Sequence, residues 1–527
     1  MNPGQTVRAF HEQTKHRPGA LRRRPHGVPW FMPMDPANRP APFKRYHGAT
    51  PEALPTELPT QGPPAVEVLC GRAHATSAAV DVELLARLLF FSGGVTRVLG
   101  RGRYRLYFRA AASAGNLHPL ETYLVCDDLP GLAAGVYHFA PDVFALERLR
   151  NGDYRTFLGA AAAHPDLATA PAALVVTGIP WRTAWKYGER GWRHLYWDAG
   201  TMLANLLAIA EATGIGVHLL FGFHDADICR LLGIDGTTEF PLVVLGLSSA
   251  VTATTPKPAP SVTDVDPLRA QTNPLSPNPI EFPLITAAQR AGVLNSAKEI
   301  HAWRAAATAL ELPVASKHAS SLTDAASPAE PIDAVILRRG STRAMLLQEV
   351  PAELLMGAMS CAIRPVPADA LPTDRTLLVH LVSLHAVAGI PAGQYEFRNG
   401  EFRLRRRLPP QQARAIAAHL CLDQELGGDS AYTTFISTHL NVILDGLGDR
   451  GYRVAQTEAG IVAGRLQLAA FALRYGATGL TFYDDAISSS FESPTECMLA
   501  CAVGVPAYRS RPGGPPLRPV EFGVPGR

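Results

Sequence analysis

The chain has 527 residues, 47% of them hydrophobic and 18% charged, which excludes an intrinsically disordered protein. Its 49 Lys and Arg against 46 Asp and Glu leave a net charge of +3, too balanced for a protein built around nucleic acid. No run approaches the ~20 apolar residues of a membrane span. Residues 1–15 are polar and lack the apolar stretch of a secretory signal, so a cytoplasmic location is expected.

Residues 1–65 are rich in Pro, Arg and His and predict an extended arm around a globular body. The remaining length exceeds what one hydrophobic core usually supports, so two domains are expected. The first spans 66–250. In it Leu120–Cys126 and 172–177 read as strands, being short, apolar and bounded by turn residues. The Ala/Leu-rich run 198–213 is apolar almost all round, which predicts a helix buried at a domain centre. A further buried strand is expected at 241–247. Residues 251–330 read as a Pro/Ala-rich linker, with the string Thr255-Pro256-Lys257-Pro258-Ala259-Pro260 and one helix over roughly 286–310. A second domain spans 331–511, and 512–527 form a tail.

The seven cysteines (Cys70, Cys126, Cys229, Cys361, Cys421, Cys497 and Cys501) include no Cys-x-x-Cys pair, so free thiols are expected. Cys497 and Cys501 have no nearby His or second pair, and no structural metal is expected. The basic runs Arg22-Arg23-Arg24 and Arg403-Leu404-Arg405-Arg406-Arg407 lack interleaved aromatics and read as solvated faces.

The second domain repeats the order of the first. Gly188-Glu189-Arg190-Gly191-Trp192-Arg193 precedes Asp198-Ala199-Gly200 and an apolar helix; Gly448-Asp449-Arg450-Gly451-Tyr452-Arg453 precedes Glu458-Ala459-Gly460 and a similar helix. After each helix comes a matching turn, Phe223-His224-Asp225 and Phe482-Tyr483-Asp484, and then an apolar strand. Two copies of one α+β unit in one chain predict a fused pseudo-dimer.

Two motifs carry a family resemblance. Ala112-Ser113-Ala114-Gly115-Asn116-Leu117-His118-Pro119, ahead of a strand, resembles the flavin-binding turn of nitroreductase-fold enzymes. Lys186-Tyr187-Gly188-Glu189-Arg190-Gly191 resembles the active-site motif of SagB/ThcOx-type dehydrogenases, which oxidise azolines to azoles in ribosomal peptide biosynthesis. The arm, from His11-Glu12-Gln13-Thr14-Lys15 to Tyr46-His47-Gly48, is similar to the start of that subfamily. The resemblance implies a tandem nitroreductase-like α+β fold in which an obligate dimer, with FMN between its subunits, is made within one chain.

In the second domain Arg338-Arg339-Gly340-Ser341-Thr342-Arg343 resembles the FMN-phosphate motif, and guanidinium and hydroxyl donors suit a phosphate. Arg509 and Arg511 stand where the family places further cations. The backbone at Thr481 and Phe482 would face flavin N5. Ala112, Ser113, Gly115 and Asn116 would meet the ring, with Gly115 admitting close approach and Asn116 able to donate and accept. The first domain lacks a double-Arg motif at Cys70-Gly71-Arg72-Ala73-His74, and the second reads Thr373-Asp374-Arg375-Thr376 where the turn should be. One composite FMN site per chain is therefore expected, its mirror dismantled.

Lys186 and Tyr187 are the general-base candidates, since azoline oxidation removes a Cα proton and passes a hydride to flavin N5. Gly446-Leu447 stand in their place in the second domain. His118 and His194 read as structural. The implied partners are a heterocycle-bearing peptide, a cyclodehydratase and dioxygen as acceptor. The alternatives are an NAD(P)H-dependent nitroreductase-type reductase and a non-catalytic flavin-sequestering protein.

Overall fold

Two helices cross at the centre of the molecule, Gly191–Thr213 and Leu440–Ala472. They meet where Gly200 faces Gly460: a Cβ on Gly200 would collide with the Thr457 carbonyl, and one on Gly460 with Trp197 and Gly200. Only the bare backbones allow this approach, and both helices are buried almost throughout. The computed structural model describes residues 3–19, 34–58, 62–73, 75–100, 105–250, 264–268, 270–315 and 329–522. The basic run Arg22, Arg23 and Arg24, the Pro-rich string 255–260 and His74 lie outside them.

Each helix belongs to an antiparallel sheet. The first sheet runs, in spatial order, Pro51–Ala53, Ala145–Asn151, Gly135–Ala140, Leu120–Cys126, Ala172–Gly178, Phe240–Ser248 and Gly216–Leu220. The second runs Met345–Leu346, Glu496–Pro506, Tyr432–Thr438, Leu378–Leu384, Gly393–Arg398 and Glu401–Arg407, with Gly476–Leu480 also on Glu496–Pro506. The central pairings match: Leu120 sits opposite Gly178 in one sheet, Leu378 opposite Thr438 in the other. Gly188 and Gly448 repeat the same turn, with φ of 55° and 61°. The α+β pseudo-dimer read from the sequence is the observed fold.

The repeated motifs lock the halves together by exchange. Arg190 and Arg193 of the first half reach Asp484 in the second, at 2.8 and 2.7 Å. Arg450 and Arg453 of the second reach Asp225 in the first, at 2.7 and 3.5 Å. All six side chains are buried. Burial pushes the Asp484 carboxyl up, but Arg190 and Arg193 outweigh it and hold it below the usual carboxylate range.

Three expectations are corrected. The arm is not wholly extended: Gln5–Gln13 is a helix, and its Val7 and Phe10 are buried because Phe10 packs on Trp192 and Tyr452 between the halves. The single linker helix is two, Pro283–Ala291 and Ala297–Ala309, separated because Ser296 caps the second through Glu299 N. Cys70 and Cys361 are not free thiols but a disulfide, Cα atoms 4.7 Å apart, joining positions 291 residues apart that the pseudo-dimer brings together. The other five cysteines are free. No helix among the described residues is long and apolar enough to cross a membrane.

Candidate functional site

The turn at 113–118 is held by the central helix. Ser113 Oγ donates to Asp198 at 2.5 Å, Ala114 N donates to the other carboxylate oxygen at 2.9 Å, and Ser113 Oγ accepts from His118 N at 2.9 Å. Gly115, Asn116 and His118 all take positive φ (63°, 58° and 46°), an arrangement that stores strain in a short cradle. The Asn116 amide is engaged inside this turn, donating to the Tyr107 carbonyl and pairing with His118 Nε2, each at 2.9 Å. It braces the cradle while still lining the cavity beside it.

Against the cradle stand Lys186 and Tyr187, at the end of the helix Pro180–Tyr187. A Cβ on Gly115 would lie 2.6 Å from the Tyr187 hydroxyl and 3.2 Å from Lys186 Nζ, so glycine is what lets these side chains close over the turn. Burial, then Arg343, lowers the Lys186 ammonium below its ordinary range. Burial, then Asp198, raises the Tyr187 phenol, so it keeps its proton at neutral pH. Burial raises Asp198 to about 7 against the two hydrogen bonds it accepts.

A cavity of about 820 Å³ opens beyond the turn, between the halves. On the first half's side Ala112, Ser113, Gly115, Asn116 and Lys186 line it; on the second half's side Arg339, Ser341, Arg343, Arg509 and Arg511 do. Arg339 is buried, donates one hydrogen bond to the Ala110 carbonyl at 2.7 Å, and leaves its Nε with no partner. Burial, then Arg97, lowers its pKa to about 10. A buried guanidinium with an unused donor, among further guanidiniums, is a receptor for an anion.

Other sequence candidates fall elsewhere. Arg338 turns away, paired with Glu330 at 2.6 Å and bonded to the Phe471 carbonyl at 2.7 Å. Phe482 is buried under the Arg190 guanidinium, 5.1 Å from its ring centroid. Thr481 does not line the cavity, though its buried Oγ1 has no partner. His194 lies edge-on to Tyr187, ring centroids 4.1 Å apart, with both ring nitrogens unpartnered. Sequence reasoning missed Arg97, which lines the cavity from the first half and donates to the carbonyls of Leu337, Arg339 and Arg511. No motif surrounds it. Asp198 was visible as the acid of the repeated Asp/Glu-Ala-Gly triplet, but only the fold shows it gripping Ser113.

Among the described residues, His11, Glu12 and Glu496 stand close enough to share a metal ion. Lys15 Nζ already sits 2.7 Å from Glu12 and 2.8 Å from Glu496, so an ammonium supplies the positive charge there.

Comparison with known proteins agrees with the fold. Residues 72–247 match the nitroreductase family. A Methanocaldococcus jannaschii protein provisionally assigned as a nitroreductase, MJ1384, is 29% identical over 170 residues, covering 32% of this chain and 81% of that protein. The microcin B17-processing protein McbC of Escherichia coli is 28% identical over 144 residues, covering 26% of this chain and 52% of McbC. The chain thus spans about half the length of McbC. A crystal structure from Anabaena variabilis, of a protein provisionally assigned as a nitroreductase, superposes with a TM-score of 0.72 at 24% identity. It covers 96% of this chain and 100% of that one. Residues 72–247 thus match the nitroreductase family, within a chain that has the nitroreductase-like α+β fold over both halves.

Proposed function

We propose that the protein is an FMN-dependent dehydrogenase that oxidises thiazoline or oxazoline rings of a peptide to azoles, with dioxygen as the final acceptor. The observation that carries this reading is the closure of Lys186 and Tyr187 over Gly115, at the mouth of a cavity whose far wall is cationic. The likeness of part of the chain to a microcin B17-processing protein supports the peptide substrate.

The residues fit FMN. Arg339, Ser341, Arg343, Arg509 and Arg511 would hold its phosphate, and the orphaned Arg339 Nε is a donor that such an anion satisfies. The cradle from Ser113 to Asn116 would support its ring. Bound there, FMN supplies two-electron acceptance. Everything else is done by the chain. Lys186 removes the azoline Cα proton, and desolvation beside Arg343 raises the fraction of free amine available for it. Tyr187, held protonated by burial, donates a hydrogen bond and fixes the substrate against the turn. Asp198 keeps the turn in register through Ser113 and Ala114. Loss of one proton to Lys186 and two electrons with the second hydrogen accounts for the ring's conversion to an aromatic azole. An azoline substrate must come from a cyclodehydration of Cys, Ser or Thr side chains onto the peptide backbone, which makes a cyclodehydratase the expected partner.

Incubation of the flavin-loaded protein with an azoline-bearing peptide under air tests the reading. Loss of two hydrogens per ring by mass spectrometry is the expected result. No mass change, with NADPH consumed against a nitroaromatic instead, would replace it with a reductase.

A further inference from the structure

A second cleft, of about 420 Å³, also lies between the halves. Its walls include Leu69, Leu207 and Glu211 of the first half and Arg364, Leu371 and Arg465 of the second. It lies beside the residues that repeat, in the second half, the turn of the site described above. Glu458 accepts from Thr376 Oγ1 at 2.6 Å and from Leu377 N at 3.0 Å, as Asp198 does from Ser113 and Ala114. Here, though, the strand Leu378–Leu384 begins at once, so no segment answers to Gly115, Asn116 and the residues before Pro119. Among the described residues no guanidinium cluster answers to Arg339 and Arg343. That position falls to the disulfide-bonded Cys70 and to Gly71, with Arg72 bonded to Glu67 at 2.9 and 3.1 Å.

What the second cleft gained is Arg465. It occupies the place of Asn205 in the other helix, at the same spacing from Glu458 as Asn205 from Asp198. Asn205 is sealed inside, donating to the Phe91 carbonyl at 2.9 Å. Arg465 instead enters the cleft while remaining only 7% exposed. Its guanidinium donates to the carbonyls of Arg364 and Pro365 at 2.7 and 3.5 Å, and no carboxylate among the described residues pairs with it. Arg364, beside it, donates to the carbonyls of Val68 and Leu69 and lies 3.8 Å from Glu211. Burial, then Arg364, lowers Arg465 to about 9, the cost of keeping that charge dry.

Charge and shape then select the ligand. Two guanidiniums face one carboxylate, Glu211, leaving one positive charge to be matched. Glu458 is committed to Thr376 and Leu377, and burial favours its neutral form. The rest of the wall is apolar apart from Thr373 and His218, and burial lowers the His218 imidazole below its ordinary range, toward the neutral form. We propose that this cleft binds a small amphipathic carboxylic acid, its carboxylate on Arg465 and its apolar body along Leu69, Leu207 and Leu371, and that it does not hold a flavin. A phosphate dianion would bring one negative charge too many and find no Ser or second guanidinium pair to share it. Because the cleft draws on both halves, an occupant would bridge them away from the first cavity.

The test is titration calorimetry of the full, flavin-loaded chain with sodium octanoate, using inorganic phosphate as the comparison anion. The expected result is one saturable octanoate site per chain, no saturable heat with phosphate, and an unchanged flavin spectrum. Arg465→Gln and, separately, the cavity-filling Leu207→Phe should each weaken octanoate binding at least tenfold without changing flavin content. Should Arg465→Gln fail to fold, Leu207→Phe decides, since it keeps every charge. Absence of saturable octanoate heat, equal affinity in the folded variants, or displacement of octanoate by a second equivalent of FMN would each overturn the proposal. The result is separable from the function proposed for the first cavity, because azoline oxidation is read out at that cavity.

Discussion

Ser113 Oγ donates a 2.5 Å hydrogen bond to Asp198, fastening the cradle of the first cavity to the central helix. The carboxyl is buried, and desolvation raises it to about 7; its counterpart Glu458 is likewise raised to about 7. A carboxyl raised on folding contributes stability that is fully present below its unfolded value, near 4, and lost as pH rises through the folded one. Asp198→Asn removes that dependence for one of the two groups. Urea denaturation at a series of pH values should therefore show the wild type losing stability relative to Asp198→Asn between about pH 4 and about pH 7. A difference independent of pH would mean Asp198 is ionised throughout.

The adjacent arginines 338 and 339 divide sharply. Arg339 faces the cavity with an unused donor, whereas Arg338 is occupied by Glu330 and Phe471. Arg339→Ala should yield protein largely free of flavin, and Arg338→Ala should keep its flavin with a modest loss of stability. Absorbance of the two purified variants near the flavin maximum checks this. Equal flavin content would remove Arg339 from the phosphate site.

Lys186→Ala is expected to retain flavin and lose about 10²–10⁴ in the rate of azoline oxidation, the usual value of a general base. Tyr187→Phe should lose less, about five- to tenfold, because burial keeps its phenol protonated and only one hydrogen bond goes with it. The wild-type rate should rise with pH as Lys186 loses its proton, with a midpoint below the ordinary lysine value of about 10.4. A larger loss in the Tyr187 variant would transfer the base to the phenol.

Asp484 is the acid that pairs with both Arg190 and Arg193 in the buried interface. Asp484→Ala leaves two buried guanidiniums without their acid and should cost about 3–5 kcal/mol. Asp225→Ala should behave alike through Arg450 and Arg453. Chemical denaturation measures both, and a cost under about 1 kcal/mol would mean that water enters the interface.

The pseudo-dimer was legible because its motifs recur in order, and they recur because Arg190, Arg193 and Asp484 must find partners that the other half supplies. Local chemistry also marked the turn at 113–118, where three consecutive needs (a hydroxyl, positive φ and a proline before a strand) are written in adjacent residues. What escaped the sequence depends on direction and distance. Which of Arg338 and Arg339 faces the cavity is decided by how the helix Ile332–Arg338 ends, not by composition. Cys70 and Cys361 lie in unremarkable apolar surroundings and meet only once the halves dock. The partners of Asn116, Tyr107 and His118, reach it through a left-handed backbone that no propensity foretells. The linker segment forms two helices because Ser296 accepts from Glu299 N and starts the second, a choice that the Ala-rich composition of 286–310 does not reveal.

The central claim is one composite flavin site per chain, with its cradle on one half and its cations on the other. The most direct measurement is the FMN released on denaturing a known concentration of purified protein. A ratio near one per chain is expected. A ratio near two, or the absence of any bound flavin after reconstitution with FMN, would contradict the account.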